Sequence, residues 1–141
     1  MGLGARFADG PLGPFPGGAL RAGELAAGPV DWASLGDLRE IELQLEQPPR
    51  SRTTWLVVHE GKAYVPCGAP TLSLLKQWPH ELAADDRVVA RIAGRRHQLR
   101  AVRVRDRAEW DGVAAASGSK YGHGQAAYPD DIWYFRLEPR S

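Results

Sequence analysis

Arg87-Val88-Val89-Ala90-Arg91-Ile92-Ala93-Gly94-Arg95-Arg96-His97-Gln98-Leu99-Arg100-Ala101-Val102-Arg103-Val104 is the stretch on which the fold class turns. Two runs carrying spaced apolar residues, 87–92 and 95–104, flank the dipeptide Ala93-Gly94. That pattern is the signature of a β-hairpin with a tight turn. The apolar phase of the second run shifts from Leu99 and Ala101 to Val102 and Val104, which predicts a bulge there.

Upstream, Ile41, Leu43 and Leu45 alternate with Glu42, Gln44 and Glu46, the period of a strand with one wet face. Pro48-Pro49 stops it. Thr53 to His59 predicts the next strand, Glu60-Gly61 a tight turn, and Lys62 to Cys67 the returning strand. Leu72, Leu75, Leu82 and Ala83 recur near the helical period, so residues 71–84 predict a helix that Pro79 caps or restarts and Asp85-Asp86 ends. Downstream, Asp106 to Ser117 predicts a short helix and Gly118 to Gly124 a glycine-rich loop. A last strand, Ile132 to Glu138, carries Trp133, Phe135 and Leu137 on one face. About six strands without crossover helices imply an antiparallel sheet, and a short twisted sheet closes into a barrel. The expected class is mainly β (α+β), with two or three short helices.

The 141 residues suit one domain, and 43% apolar with 25% charged residues is globular composition. Cys67 alone excludes an internal disulfide framework and any cysteine-only metal site. A formal charge of +1 gives no bulk attraction to a polyanion. No run approaches the roughly 20 apolar residues of a membrane span, and the first residues lack a signal peptide's charged start and apolar stretch. A cytoplasmic, reducing location is expected. Residues 1–30 hold eight of the sixteen glycines and four of the eleven prolines. That composition disfavours helix and inner strand. Phe7, Leu12, Phe15 and Leu20 run through it, which suits an arm laid over the barrel or over a partner subunit; disorder is the alternative. The expected division is an arm over 1–37 and a barrel over 38–141.

No phosphate-binding loop, dinucleotide glycine fingerprint or nucleophile elbow is present, and His59, His80, His97 and His123 lack zinc spacing. No metal is expected. Catalysis by side chains alone is poorly supported, so an enzyme of this sequence would use a bound cofactor. Arg50-Ser51-Arg52-Thr53-Thr54 offers two guanidinium forks and three hydroxyls within five residues, a set able to hold a phosphate, although a solvated turn with strand-forming threonines has the same composition. Eight arginines lie between Arg87 and Arg107 with Asp106 as the one acid. They would suit nucleic acid, but their hairpin lacks stacking aromatics. A wet face paired with Glu42, Glu46 and Glu81 is the more economical account, and no nucleic-acid partner is expected. Trp78 could wall a planar ring or fill the core, and His80 could donate a proton or sit idle on the surface. Tyr121, His123 and Tyr128 fall in the glycine loop, which could cover a substrate or merely connect.

The order of these features resembles the FMN-binding split β-barrel superfamily: Arg52-Thr53-Thr54 entering a strand, a hairpin to Tyr64-Val65, Cys67-Gly68, a tryptophan-bearing helix, the 87–97 hairpin, and Trp133-Tyr134-Phe135-Arg136-Leu137-Glu138-Pro139. Within it the chain is most similar to the deazaflavin-dependent nitroreductase and quinone reductase branch, over residues 38–139. The resemblance implies that Arg52, Thr53 and Thr54 help hold the cofactor phosphate and that the backbone at Cys67-Gly68-Ala69 approaches the cofactor. The branch's Trp-x-x-Asn-Leu segment aligns with Trp78, Glu81 and Leu82, with Glu81 in place of the asparagine. Its Lys-Ser-Gly is reduced to Pro49-Arg50-Ser51.

The resulting expectation is a six-stranded antiparallel split β-barrel that forms a homodimer with its cofactor groove between subunits. A deazaflavin or FMN would pass a hydride to a small electron-poor acceptor, a quinone or nitro compound. Arg50, Ser51, Arg52, Thr53, Thr54, Cys67, Gly68 and Trp78 would bind the cofactor, and His80 or Tyr121 would act as the catalytic donor. The alternative is a non-catalytic split-barrel protein that binds a cofactor, or a structural or interaction protein.

Overall fold

The computed structural model describes residues 9–11, 17–46, 49–68, 78–122 and 132–140. The alternation around Ile41 forms β1 (Glu40–Glu46), with Ile41, Leu43 and Leu45 buried. It is followed by β2 (Pro49–Trp55), β3 (Val57–His59), β4 (Lys62–Gly68), α1 (Trp78–Ala84), β5 (Arg87–Ile92), β6 (Arg95–Arg103), α2 (Arg107–Tyr121) and β7 (Ile132–Pro139). Every strand pair is antiparallel, in the order β2-β1-β5-β6-β7-β4-β3. The first and last strands of that order, β2 and β3, are joined through the single residue Leu56, so the sheet curls round to bring its ends together.

That joint makes the count seven strands, where six were expected. The anticipated strand from Thr53 to His59 breaks at Leu56, because that residue's backbone turns to other partners. Its N–H donates to Arg39 O and the Tyr121 hydroxyl, and its carbonyl accepts from Lys120 Nζ and the Tyr121 hydroxyl, both at 2.7 Å. The Leu56 side chain stays fully buried. β2 also starts at Pro49 and pairs with Glu46, so the cluster from Arg50 onward is strand from its first residue.

Two cores hold the elements. Inside the curl, Leu43, Leu56, Val65, Val88, Ala90 and Phe135 pack together, each contributing on the order of 1.5–3 kcal/mol for a large aliphatic or aromatic side chain. Outside it, α2 packs Trp110 and Val113 onto Val57, Tyr64, Val104 and Tyr134. This second core explains the phase shift in β6. Leu99 and Ala101 face the interior, while Val104 belongs to the outer cluster. The expected bulge is absent: β6 keeps continuous register with β5 from Arg87↔Arg100 to Ile92↔Arg95 and with β7 from Leu99↔Pro139 to Arg103↔Phe135.

α2 is longer than expected and absorbs the start of the anticipated loop. Asp106 caps it by accepting from Glu109 N at 2.8 Å. It runs through Gly118 to Tyr121 and ends at Gly122, whose φ of 73° is the left-handed conformation of a helix C-cap. Lys120 and Tyr121 drive the extra turn through their bonds to Leu56. A 3-10 turn at Trp32–Leu35 sets Trp32 into the inner core, and Leu82 of α1 joins the same core. The expected helix over 71–84 is seen from Trp78; residues 71–77 lie outside the described residues.

The described part of the arm lies on the barrel itself. Gly17 exchanges backbone hydrogen bonds with Ser51 at 2.9 and 3.0 Å, on the free edge of β2, and so shields an edge that would otherwise invite pairing. Leu20 is buried, its N–H bonded to Gln44 Oε1. Glu24 and Ala26 exchange backbone bonds with Arg96. Gln44, expected on the wet face, is thereby covered.

Candidate functional site

The pleat of β2 divides the predicted phosphate cluster. Arg50, Arg52 and Thr54 stand opposite Leu45, Leu43 and Ile41, so they share the interior face of the sheet. Ser51, Thr53 and Trp55 stand on the other face. The Ser51 hydroxyl donates to Gly18 O at 2.6 Å beneath the arm, and Thr53 is exposed. The two arginines and Thr54 therefore share one face of the sheet, and Ser51 and Thr53 share the other.

The arginine pair sits beside α1. Arg50 Nη2 forms an ion pair with Glu81 Oε1. Among the described residues Arg50 Nε and Glu81 Oε2 are buried without a hydrogen-bond partner. Burial holds the Arg52 guanidinium below its ordinary pKa, and the nearby Arg50 charge pushes the same way; Cys67 and Glu81 oppose the shift. Two cations thus lie near one another and near Glu81 in partly desolvated surroundings. Cys67 is buried in the inner core and is not in a disulfide; it lies next to Gly68, where β4 ends.

α1 brings His80 over the start of β7. His80 is exposed and meets Trp133 edge-on, with centroids 5.4 Å apart. The Arg103 guanidinium lies 3.6 Å above the Trp133 ring. Trp133, Phe135, Leu82 and Arg103 line a cleft of about 560 Å³. Trp78 opens α1, but its side chain lies outside the described residues, as do Ala69 and the remainder of the 69–77 segment.

Tyr121 is elsewhere. It closes α2, stacks on Trp55 with centroids 4.1 Å apart and 8° between planes, and its single hydroxyl proton is shared between Arg39 O and Leu56 O. The anticipated loop position for Tyr121 is thus replaced by a helix end pinned to the barrel, and His80 and Tyr121 are not brought together. His123 and Tyr128 fall outside the described residues.

The arginine hairpin is laced to acids and carbonyls. Arg91 bonds Glu42 and Asp9, Arg87 bonds Asp85, Arg100 bonds Asp86, and Arg96 bonds the carbonyls of Gly23 and Leu20. Of the three acids expected to offset it, Glu42 forms an ion pair with Arg91, and Glu46 adds a longer-range attraction at Arg87. Glu46 pairs with Arg140 and Glu81 with Arg50. Sequence reasoning also missed Arg103 and Trp133 as a stacked pair, since their contact joins neighbouring strands and leaves no local signal. No helix of the described residues is long and apolar enough to cross a membrane.

No protein-family model matches the chain, and no curated protein matches it. Solved structures do. A candidate pyridoxamine 5′-phosphate oxidase from Listeria innocua superposes with a TM-score of 0.59 over 78% of this chain and 90% of its own, at 16% identity. The fold is a split β-barrel. A conserved hypothetical protein of Mycobacterium tuberculosis superposes on this split barrel with a TM-score of 0.58, covering 84% of each chain at 14% identity. The likeness reaches most of both chains and concerns architecture. What this split barrel binds must be argued from its own residues.

Proposed function

We propose that the barrel beside α1 binds a flavin-type cofactor, FMN or a deazaflavin, and that the protein is an oxidoreductase acting on a small electron-poor acceptor such as a quinone or nitro compound. The observation that carries this reading is that Arg50 and Arg52 share the interior face of β2, with Arg50 Nε buried without a hydrogen-bond partner among the described residues and the Arg52 guanidinium partly desolvated. An anionic phosphate there would accept from Arg50 Nε, now buried without a partner, and would offset the burial and like-charge repulsion at Arg52. Pyridoxamine 5′-phosphate oxidase-like split barrels typically hold FMN, which supports the choice of ligand. When bound, such a cofactor supplies the hydride.

The chain's residues would then divide the work. Arg50, Arg52 and Thr54 grip the phosphate, with the backbone at Cys67-Gly68 beside them. Trp78 walls the ring, and exposed His80, packed edge-on against Trp133, is the proton donor. Tyr121, whose hydroxyl is held by backbone carbonyls, supports the Leu56 joint. The proposal includes a homodimer whose second subunit completes the groove, a cytoplasmic setting, and the division into an arm over 1–37 and a barrel over 38–141.

Fluorescence titration with FMN and, separately, a deazaflavin tests the reading. One of them should bind at micromolar levels, and Arg52→Ala should weaken it by about 1.5–3 kcal/mol, roughly 10- to 150-fold. Thr53→Ala, on the opposite face, should bind as the unaltered protein does. Failure of both ligands, or an Arg52→Ala protein with undiminished affinity, removes the reading. Because His80 is exposed and Tyr121 is committed to the fold, a binder without turnover is the second reading. Reduction of a quinone by the cofactor-loaded protein decides between them.

A further inference from the structure

A second cleft, of about 950 Å³, lies at the other end of β7 from α1, between arm residues 26–32 and the ends of β6, β7 and β4. Its walls are of two kinds. Val30, Trp32, Leu99 and Leu137 supply apolar surface, while Lys62, His97, Arg136 and Arg140 supply donors. Glu138 is the one carboxylate in the lining.

The donors are only partly used. Arg136 gives Nη1 to Glu109 and Nε to Glu138 and also meets the Tyr64 hydroxyl, so it brings positive charge to the cleft with most of its fork engaged. Arg140 gives Nε to Leu99 O and Nη2 to Val88 O and Glu46, which leaves Nη1 uncommitted among the described residues. Lys62 is exposed and has no ion pair among the described residues. His97 Nδ1 is buried without a hydrogen-bond partner there. Burial, and then Arg95, hold the His97 ring below its ordinary pKa, so it stays a neutral hydrogen-bonding group near pH 7.

A site with several spare donors, one lining acid and an apolar wall suits a ligand with an acceptor-only head and an apolar body. We propose that this cleft is a binding site, separate from the Arg50–Arg52 region, for a small organic carboxylate whose ring or chain lies on Trp32 and Val30 while its head reaches Lys62, Arg136 and Arg140. The arm residues 26–32 form one wall, which gives this segment a role in ligand binding as well as in covering the sheet.

Calorimetric titration of the full chain with naphthalene-1-carboxylate, and with its neutral amide, tests the proposal. The acid should bind with a dissociation constant below about 1 mM, and the amide about 10-fold more weakly, as expected when one charge-assisted contact is lost. Lys62→Ala, at an exposed position, should weaken the acid about 5- to 10-fold without altering the melting temperature and leave the amide unchanged. The His97 ring proton resonance should move on saturation. No binding of the acid, equal affinity for acid and amide, or an unmoved His97 signal overturns the proposal. So does binding abolished by Arg52→Ala with Lys62→Ala silent, which would assign the ligand to the other region.

Discussion

Arg91 is the point at which the arm is tied to the barrel, and replacing it by methionine should release the arm and weaken the fold together. Its Nε and Nη2 reach Glu42 at 2.7 and 2.9 Å, and Nη1 reaches Asp9 at 2.9 Å. Asp9 in turn accepts from the backbone of Arg21 at 2.7 Å and of Ala22. The Arg91 side chain is 13% exposed, while Glu42 and Asp9 keep 30% and 32%. Removing one partner of a fully buried ion pair costs about 3–5 kcal/mol. Here water can resolvate both carboxylates, which brings the expected loss to about 2 kcal/mol. For a chain of this size that lowers the melting temperature by about 5–8 °C. Circular dichroism reads the melting, and amide hydrogen exchange at Arg21 and Ala22 reads the arm. Arg91→Lys should fall between, since an ammonium keeps the charge and loses the fork. An Arg91→Met protein that melts within about 1 °C of the parent, with both amides still protected, would refute the assignment of Arg91 as the tie.

Other substitutions probe the same architecture. Gly10 has φ of 91°, and a Cβ there would fall 2.5 Å from Arg91 Nη2 and 2.6 Å from Glu42 Oε2; Gly10→Ala should loosen the arm at a cost of about 1–2 kcal/mol, seen as faster exchange at Arg21 and Ala22. Burial raises the Glu109 carboxyl pKa, but hydrogen bonds from Tyr64 and Arg136 outweigh it and leave the group below its ordinary 4.5. Its contribution is therefore complete above that value and lost as pH falls through the lower folded pKa. Urea midpoints of the parent and Glu109→Gln should accordingly converge between about pH 6 and pH 3. Trp32, 8% exposed in the inner core, should cost about 3–5 kcal/mol as alanine and appreciably less as phenylalanine, by urea denaturation.

The strands of this protein were legible because each carries a period-two pattern or a β-branched run set off by a turn dipeptide. Ile41-Leu43-Leu45, the Val88-Ala90-Ile92 and Leu99-Ala101 sets flanking the Ala93-Gly94 turn, and Trp133-Phe135-Leu137 all lie on the inner face as their spacing implies. Less legible were the positions where two distant elements share one residue. Leu56 looks like the middle of a strand until Lys120 and Tyr121 take its carbonyl. Val104 looks like a phase error until α2 covers the outer face. Within Arg50-Ser51-Arg52-Thr53-Thr54 the residue types were visible, but the direction of each side chain was not, because a cluster in a loop and a cluster in a strand have the same composition.

The sequence by itself determined the antiparallel sheet, its hairpins and the supply of arginine and hydroxyl groups on β2, since hydrophobic period and turn chemistry act over a few residues. Only the tertiary structure decided that the arm would claim Ser51, that Glu81 would face Arg50, and that Arg136 and Arg140 would meet Trp32 across a cleft. Those outcomes depend on the curl of the sheet and on which face α1, α2 and the arm cover. No local pattern encodes them, because the groups involved lie tens of residues apart along the chain.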